Sequence, residues 1–293
     1  MKLTINVGYA SQAARIAGCA QTAEDSQAAQ ATEAAEADGG SYQTEAACGD
    51  TAVSCWLPGG SRAVILSDGM GHGCVAAAES RAAAGLLRRL LKKGVPAAKA
   101  IKEVNRMLLE RSKKEGQRDG QKEIFATLDL TLIDPIKGKA QFYKLGASPT
   151  YIIRGSEIRS GSEIRRSGEV RSSSKIRRIQ QQALPVGILP GIRLKRATAK
   201  IAAGDVIIMT SDGVADSGWQ RGDGDWIKSF LGDFYRDEDG TLRKDEIAYS
   251  SRALAQDLLY EARKRYGDGD ETDDATTVVI AIGENKRKTK DEE

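Results

Sequence analysis

The sequence predicts an α+β protein whose sheets are antiparallel. Most predicted strands are followed by a short turn and another strand, and such turns join antiparallel neighbours. The predicted helices come in pairs rather than after every strand, which disfavours a doubly wound parallel sheet. A chain of 293 residues can bury a large core. We therefore expect layers of helices packed on antiparallel sheets.

The N-terminal half is expected to hold strands on either side of one pair of helices. Apolar residues at helical spacing predict helices over residues 74–93 and from 96 to about 115. Turn residues at 58–60 and 134–138 indicate hairpins. Alternating or apolar runs predict strands over residues 2–7, 15–20, 51–57, 62–67, 123–133, 139–145 and 150–153.

The C-terminal half repeats this organisation with a longer last helix. Strands are predicted over residues 194–201, 206–210 and 275–282, and helices over 226–234 and 245–266. We expect residues 1–283 to form one domain that is followed by a charged tail over 284–293.

Two segments of this domain, 21–47 and 154–180, are expected to be flexible insertions. The first contains mainly Ala, Glu, Gln, Thr and Gly, which offer little surface to bury. The second carries a degenerate repeat of about six residues, with Ser-Glu-Ile-Arg beginning at Ser156 and again at Ser162. A disordered insertion or an expanded surface hairpin is the favoured interpretation, and a basic flap that grips phosphate is the alternative.

Composition and charge exclude several classes of protein. The net charge of +3 is small, which argues against nucleic acid as a partner. The four cysteines form no C-x-x-C pair and there is a single His, so a zinc site is not expected. No apolar run approaches the roughly 18 residues of a membrane span, and the N-terminus lacks the apolar core of a signal peptide. We expect a cytoplasmic protein with free thiols and no membrane segment.

Acidic residues mark the ends of several predicted strands. Two buried strands each end in Ser-Asp-Gly, at Asp68 and Asp212, while Asp273-Asp274 precedes the last strand and Asp50 opens the strand before Asp68. If these carboxylates cluster, they repel one another, and Mg²⁺ or Mn²⁺ would relieve the repulsion through oxygen ligands. Two such ions could activate water against phosphorus. The same residues also fit helix caps and turns, so both interpretations stay open on chemistry alone.

Seven stretches carry a resemblance to a known family, and they occur in the family's order between about residues 15 and 282. They are Gly49-Asp50, Ser67-Asp68-Gly69-Met70-Gly71-His72-Gly73, Ala126-Thr127-Leu128-Asp129-Leu130, Leu145-Gly146-Ala147-Ser148-Pro149, Leu184-Pro185-Val186-Gly187-Ile188, Ser211-Asp212-Gly213-Val214 and Asp273-Asp274-Ala275-Thr276. Together they resemble the metal-dependent protein serine/threonine phosphatases of the PPM superfamily, and most of all the SpoIIE branch of bacterial sporulation.

This resemblance implies a fold, an activity and a set of site residues. It implies an αββα sandwich of two antiparallel sheets flanked by helices, with two Mn²⁺ or Mg²⁺ ions at one end. Asp68 would bridge both ions, the backbone carbonyl of Gly69 would bind one, and Asp212 and Asp273 would hold one ion. Asp50 would bind metal-linked water or complete the second site. Catalysis would depend on Asp68, Asp212 and Asp273, and a metal-bridging hydroxide would attack phosphoserine without a phosphoenzyme.

Three further positions differ from the pattern of some relatives. Asp274 stands where many relatives have Asn, so it is expected to orient its neighbours. No Arg follows Gly49-Asp50, although eukaryotic members have a phosphate-binding Arg near the first acidic strand. Met70 occupies the position at which some members carry a His. His72 is therefore considered as a general acid, with metal-bound water as the favoured proton donor and a solvent-exposed turn as the third alternative.

The resemblance also implies a partner. The expected substrate is a phosphorylated anti-anti-sigma protein (SpoIIAA-like), whose dephosphorylation frees a sigma factor in sporulation or stress control. Full-length relatives are anchored in the membrane through an N-terminal region that this chain is not expected to contain, and a homodimer is an open alternative. The competing functions are a catalytically weak, phosphatase-like module that binds a phosphoprotein, and nucleotide binding at the glycine turn. The latter is disfavoured because Gly69 to Gly73 is not G-x-G-x-x-G.

Overall fold

The structure is a computed structural model that describes residues 2–14, 40–43, 48–71, 73–119, 124–154, 176–217, 222, 224–234, 251–266 and 272–284. Residues 40–43, 73, 115–119 and 233–234 are described by their backbone. The strands of these residues are β1 (Leu3–Gln12), β2 (Gly40–Gln43), β3 (Asp50–Trp56), β4 (Arg62–Asp68), β5 (Leu128–Asp134), β6 (Lys139–Leu145), β7 (Thr150–Ile153), β8 (Arg177–Ile179), β9 (Ala197–Lys200), β10 (Val206–Thr210) and β11 (Ala275–Glu284). The helices are α1 (Gly73–Lys92), α2 (Ala97–Asp119), α3 (Asp212–Ala215), α4 (Trp226–Phe234) and α5 (Ser251–Tyr266).

The strands form two sheets in which the paired strands are antiparallel. One sheet has five strands in the order β1-β11-β10-β7-β8, and the other has six in the order β2-β3-β4-β5-β6-β9. Short turns join β3 to β4 and β5 to β6, which is why these sequence neighbours are also neighbours in space. The prediction of antiparallel sheets is confirmed.

Three clusters of buried side chains separate four layers. One cluster packs α1 and α2 on the outer face of the six-stranded sheet, with Ile65 and Leu87 among its members. A second packs α3, α4 and α5 on the five-stranded sheet, and it includes Trp226. The third lies between the sheets and includes Leu66 and Met209. The αββα sandwich is therefore confirmed.

Several element boundaries differ from the sequence prediction. The first strand continues to Gln12 because it pairs along its whole length with β11. The fifth strand begins only at Leu128, since residue 126 forms isolated bridges to Gly69 and Val186 instead of a ladder. The strand expected over 194–201 is reduced to Ala197–Lys200, and Glu284, expected in the tail, ends β11.

The predicted insertions are only partly described. In the first, Gly40–Gln43 form β2, which pairs with β3 at the edge of the six-stranded sheet. In the second, Arg177–Ile179 form β8, which pairs with β7. The strand β2 contradicts a purely flexible interpretation of the first segment, whereas the antiparallel pairing of β8 with β7 agrees with the expanded hairpin that was one interpretation of the second. The remaining parts of 21–47, the repeat over 155–175, the strand predicted over 15–20 and the tail after 284 lie outside the described residues.

The alternation of side chains along the strands decides what lies between the sheets. In β4, Ala63 and Ile65 face the helices, whereas Val64 and Leu66 face the other sheet. Continuing this alternation places the side chain of Asp68 between the sheets, at the end of the strand. Asp68 thus stands at the rim of the sandwich interior, above an apolar core.

Candidate metal-dependent active site

The first two acidic residues meet through strand register. Asp50 begins β3 and Asp68 ends β4, and the antiparallel register pairs the two residues directly. Asp50 is 1% exposed, and like Asp68 it faces the space between the sheets. Residues directly opposite in an antiparallel pair have Cβ atoms roughly 5 Å apart. Two carboxylates separated by 17 positions in the sequence therefore lie side by side.

The backbone of Asp68 is held on both sides by the segment that precedes β5. The Asp68 amide donates to Thr127 Oγ1 at 3.0 Å, and the Thr127 amide donates to the Asp68 carbonyl at 2.8 Å. Ser67 Oγ donates to the Thr127 carbonyl at 2.8 Å. On the other side, the Gly69 amide donates to the Gly49 carbonyl at 3.2 Å. Asp68 is consequently fixed in its main chain even though it ends a strand.

Gly69 is required by the approach of helix α1. A Cβ atom added to Gly69 would lie 2.0 Å from the carbonyl oxygen of Ala76, which is far inside van der Waals contact. Only glycine permits the first turns of α1 to pack this closely against the end of β4. Gly69 therefore allows α1 to lie against the end of β4, beside the acidic residues.

The five-stranded sheet supplies the opposite wall. Ser211 follows β10 and is bonded to β11, since its amide donates to the Thr276 carbonyl at 3.0 Å and its Oγ accepts from the Thr276 amide at 2.8 Å. Asp212 therefore begins α3 beside the turn that carries Asp273. Gly213 allows this contact, because a Cβ there would lie 2.1 Å from the carbonyl oxygen of Asp274.

Helix α5 supports both of these turns. Arg263 Nη1 donates to the Asp273 carbonyl at 2.9 Å, and its other nitrogens bind Gln12 and the carbonyl of residue 13 at the end of β1. Tyr266 Oη donates to the Gly213 carbonyl at 3.0 Å. The sequence analysis did not find these supporting residues. Their only sequence signal was the helical pattern of α5, which says nothing about the distant turns that they reach.

The electrostatics show that the acidic side chains from both sheets interact. Burial raises the pKa of Asp68 to about 10, and the neighbouring negative charges add to this effect. In decreasing order these charges belong to Asp50, Asp212, Asp273 and Asp274. Burial, followed by repulsion from Asp273, raises the pKa of Asp212 to about 6. Without a cation, this group of carboxyls holds protons that isolated carboxyls would release at neutral pH.

Two of the acidic side chains have buried oxygens that lack hydrogen-bond donors. Burial raises the pKa of Asp50, and the nearby hydroxyls of Ser211 and Thr276 oppose this only partly, since neither forms a hydrogen bond of normal geometry to an Oδ atom of Asp50 in the described part of the chain. Asp274 Oδ1 accepts from the amide of residue 14 at 2.9 Å, whereas its Oδ2 is buried without a partner. Buried carboxylate oxygens without donors are costly unless a cation or water completes them.

The donor set fits a hard divalent cation. It consists of carboxylate oxygens, which Mg²⁺ and Mn²⁺ prefer, and the charges that shift the pKa of Asp68 are all negative. In the described residues, however, no three acidic, His or Cys side chains already converge as a ligand set. Binding of an ion by these carboxylates would therefore require rotation of their side chains.

The predicted site residues can now be placed individually. Asp50, Asp68, Asp212 and Asp273 come together electrostatically at one end of the sandwich, with Gly69 beside them, and Asp274 lies in the same group. His72 lies outside the described residues. A residue that the sequence analysis missed is Asp216, at the end of α3, whose pKa is raised by burial and then by Asp273. Its place four residues after Asp212, one helical turn away, is the signal that could have found it.

The fold and this acidic site define the class of the protein. Two antiparallel sheets flanked by helices, with the carboxylates at one end, match the fold of PP2C-type serine/threonine phosphatase domains. The family model "Stage II sporulation protein E (SpoIIE)" matches residues 58–283. Because this match covers more than half of the sequence, the chain belongs to the SpoIIE family.

Individual relatives agree with this assignment. Stage II sporulation protein E of Bacillus subtilis (strain 168) is 30% identical over 243 residues, which are 82% of this chain and 24% of the relative. The chain thus spans about a quarter of that relative's length. The solved PP2C phosphatase domain of B. subtilis SpoIIE, with a fragment of its regulatory domain, is 25% identical with a TM-score of 0.64, and the match covers 95% of this chain and 63% of that one.

A more distant structure shares only the fold. The catalytic domain of the serine/threonine phosphatase PstP, solved in complex with two manganese ions, is 13% identical with a TM-score of 0.56. The match covers 96% of this chain and 100% of that domain. Among the described residues, no helix is both long enough and apolar enough to cross a bilayer.

Proposed function

We propose that this domain hydrolyses phosphoserine on a small phosphorylated anti-anti-sigma protein and thereby controls a sigma factor in sporulation or stress. The observation that carries the proposal is the group of interacting carboxylates contributed by both sheets. Asp50 and Asp68 come from one sheet, and Asp212 and Asp273 follow or precede strands of the other. A group of this kind, at the open end of a sandwich, suits a phosphate ester that is brought in by a protein partner.

Two Mn²⁺ or Mg²⁺ ions are the proposed cofactors. Asp68 and the backbone carbonyl of Gly69 would hold ions from the six-stranded sheet, Asp212 and Asp273 would hold one from the other sheet, and Asp50 would complete the second site. When bound, such ions lower the pKa of water and stabilise the negative charge that develops on the phosphoryl group. The unpaired oxygens of Asp50 and the raised pKa of Asp68 support this assignment.

The chain's own residues would hold these ligands in position. Thr127 and Gly49 fix the backbone of Asp68, so that its carboxylate needs only side-chain rotation to reach an ion. Asp274, tied to the amide of residue 14, would orient the turn that carries Asp273. Pre-placed backbones reduce the reorganisation required when substrate arrives.

The substrate is proposed from the family, and the acidic site supports it only in part. Membership of the SpoIIE family, whose name refers to sporulation, points to the sigma-factor circuit. A protein partner also agrees with a site that lies at the end of the sandwich. We include in the proposal a homodimer as the assembly in which the domain acts.

The test is hydrolysis of two phosphoesters in the presence and absence of Mn²⁺. We expect the domain to cleave para-nitrophenyl phosphate and a phosphorylated SpoIIAA-like protein only when the metal is present, and Asp68→Asn and Asp273→Asn to abolish both reactions. Far-UV circular dichroism of each variant would verify that it is folded. Binding of the phosphoprotein without any release of phosphate would instead identify a phosphoprotein-binding module. Full activity of Asp68→Asn would rule out the mechanism.

A further inference from the structure

A buried ion pair lies in the first interior layer beneath the acidic residues. The register pairs Leu66 of β4 with Asp129 of β5, and Asp129 with Lys144 of β6. Leu66 is two residues before Asp68, so this row lies roughly 7 Å below the carboxylates along the strands. The side chains of Asp129 and Lys144 are 1% and 0% exposed. A charged pair thus lies buried between the two sheets, directly beneath the acidic residues.

This ion pair also connects the two sheets. Lys144 Nζ donates to Asp129 Oδ2 and, at 2.8 Å, to Oγ1 of Thr150 on β7. The Thr150 hydroxyl donates to the same Asp129 oxygen at 3.1 Å. Since β5 and β6 belong to one sheet and β7 to the other, the three side chains form a polar bridge across the sandwich. Burial is the main influence on both charges, raising the pKa of Asp129 and lowering that of Lys144, and the pairing opposes it.

One carboxylate oxygen of Asp129 takes no part in the hydrogen bonds of this ion pair. Asp129 Oδ1 is buried and has no hydrogen-bond partner among the described residues. Asp129 also lines a small cavity between the two sheets. The polar residues lining this cavity are Asp68, Thr127, Asp129, Ser148, Thr210, Ser211 and Asp212. The cavity has room for about one water molecule, and the unpaired oxygen of Asp129 together with the other polar lining residues offers such a water hydrogen-bond partners.

We propose that Asp129 and Lys144 are positioning residues for Asp68, and that one ordered water in this cavity donates hydrogen bonds to Asp129 Oδ1 and to the Asp68 carboxylate. Lys144 and Thr150 occupy the other oxygen of Asp129, which leaves Oδ1 directed to the cavity. The water then restricts rotation of the Asp68 side chain, whose backbone Thr127 already fixes. This inference rests on the proposed function, because it assigns to Asp68 a metal-binding role.

The alternative is that the ion pair only joins the sheets, and a double variant separates the two roles. Replacing a buried ion pair by apolar residues of similar volume is often neutral or stabilising, so Asp129→Leu with Lys144→Met should fold. Partners that orient metal ligands typically change metal affinity by about 10- to 100-fold when removed. We therefore expect calorimetric titration of the metal-free double variant with Mn²⁺ to give at least about tenfold weaker binding than the original sequence.

The matched control is Thr131→Val. Thr131 lies on the same strand and the same face as Asp129, one layer deeper, and it is fully buried with an unpartnered hydroxyl. Its replacement perturbs the interior without touching the proposed water, so Mn²⁺ affinity should remain unchanged. Saturating Mn²⁺ should restore most of the turnover of the double variant, whereas a loss of folding would not be restored.

The outcomes distinguish this inference from the function on which it rests. If the original chain binds no Mn²⁺, the proposed function fails. If the original chain and a folded double variant bind Mn²⁺ equally, the proposed function stands and the positioning role is wrong. A high-resolution crystal structure of the original chain provides a test that needs no variant. A water bonded to Asp129 Oδ1 is expected there, and a cavity without such a water overturns the inference.

Discussion

Removing the charge of Asp68 should stabilise the metal-free protein while it abolishes activity. The folded, metal-free state raises the pKa of this carboxyl from the ordinary value of 3.8 to about 10, through burial and then through four neighbouring acids. Asp68→Asn keeps the shape of the side chain but can no longer ionise. The variant should therefore escape the cost that the original residue imposes on folding at neutral pH.

The magnitude follows from proton linkage. A tenfold change in proton affinity is worth about 1.4 kcal/mol. The interval between the ordinary pKa of 3.8 and pH 7 therefore limits the gain in unfolding free energy to about 4 kcal/mol. Because Asn is also polar and buried, we expect about half of this, ~2 kcal/mol, or a rise in Tm of roughly 4–8 °C. The sign follows from the raised pKa of Asp68 in the folded state. The protonated carboxyl imposes no cost on folding of the original chain below about pH 4, and the stability of that chain falls as the pH rises towards 10.

The assay is urea unfolding of chelator-treated protein at pH 6, 7 and 8, with and without Mn²⁺. The original chain should lose stability as the pH rises, the variant should lose less, and Mn²⁺ should stabilise only the original chain. The control is Asp134→Asn, which should lower the unfolding free energy instead of raising it, because the backbone amide of Lys137 and then that of Ile136 lower the pKa of Asp134. Equal or lower stability of metal-free Asp68→Asn at pH 8 would refute the reasoning.

Three further substitutions test other parts of the site. Asp212→Asn should abolish turnover of para-nitrophenyl phosphate without lowering Tm, and retained turnover would remove Asp212 from the site. Tyr266→Phe loses the 3.0 Å hydrogen bond to the Gly213 carbonyl. We expect this variant to lose about 1 kcal/mol of unfolding free energy and to require more Mn²⁺ for turnover. The control Tyr260→Phe, at an exposed position, should change neither quantity. Gly69→Ala should displace α1 and lower Tm. Gly85→Ala places its Cβ in open space and should raise stability by about 0.5–1 kcal/mol. Equal effects of the two substitutions would contradict the close approach of α1 to Gly69.

Much of the fold was predictable because its strands and hairpins are local. The hairpin from β3 to β4 follows from Pro58, Gly59 and Gly60 between two apolar runs, and the structure pairs those runs as expected. The strand β2 was missed because its residues become a strand only by pairing with the edge of β3, and β8 was anticipated only as one arm of a possible expanded hairpin. Composition described these segments correctly as polar, but polarity does not exclude an edge strand.

For the candidate site, the sequence identified the acids better than it identified their supports. Asp68 and Asp212 each lie in a Ser-Asp-Gly sequence shortly after an apolar run, so their place at a strand end could be read locally. Arg263 and Lys144 could not be read in this way, because each is one basic residue among 44 Lys and Arg. Only the packing of α5 against the Asp273 turn, and the pairing of β5 with β6, give them their roles.

By itself, the sequence determined the chemistry available to this protein: acids at strand ends, glycines where backbones approach closely, and apolar faces for two sheets. Only the tertiary structure decided which acids meet, since Asp50 faces Asp68 through register while Asp212 and Asp273 arrive from the opposite sheet. The physical reason is that sheet pairing joins residues far apart in the chain. Repulsion between carboxylates, and with it the demand for a cation, arises only after that pairing has formed.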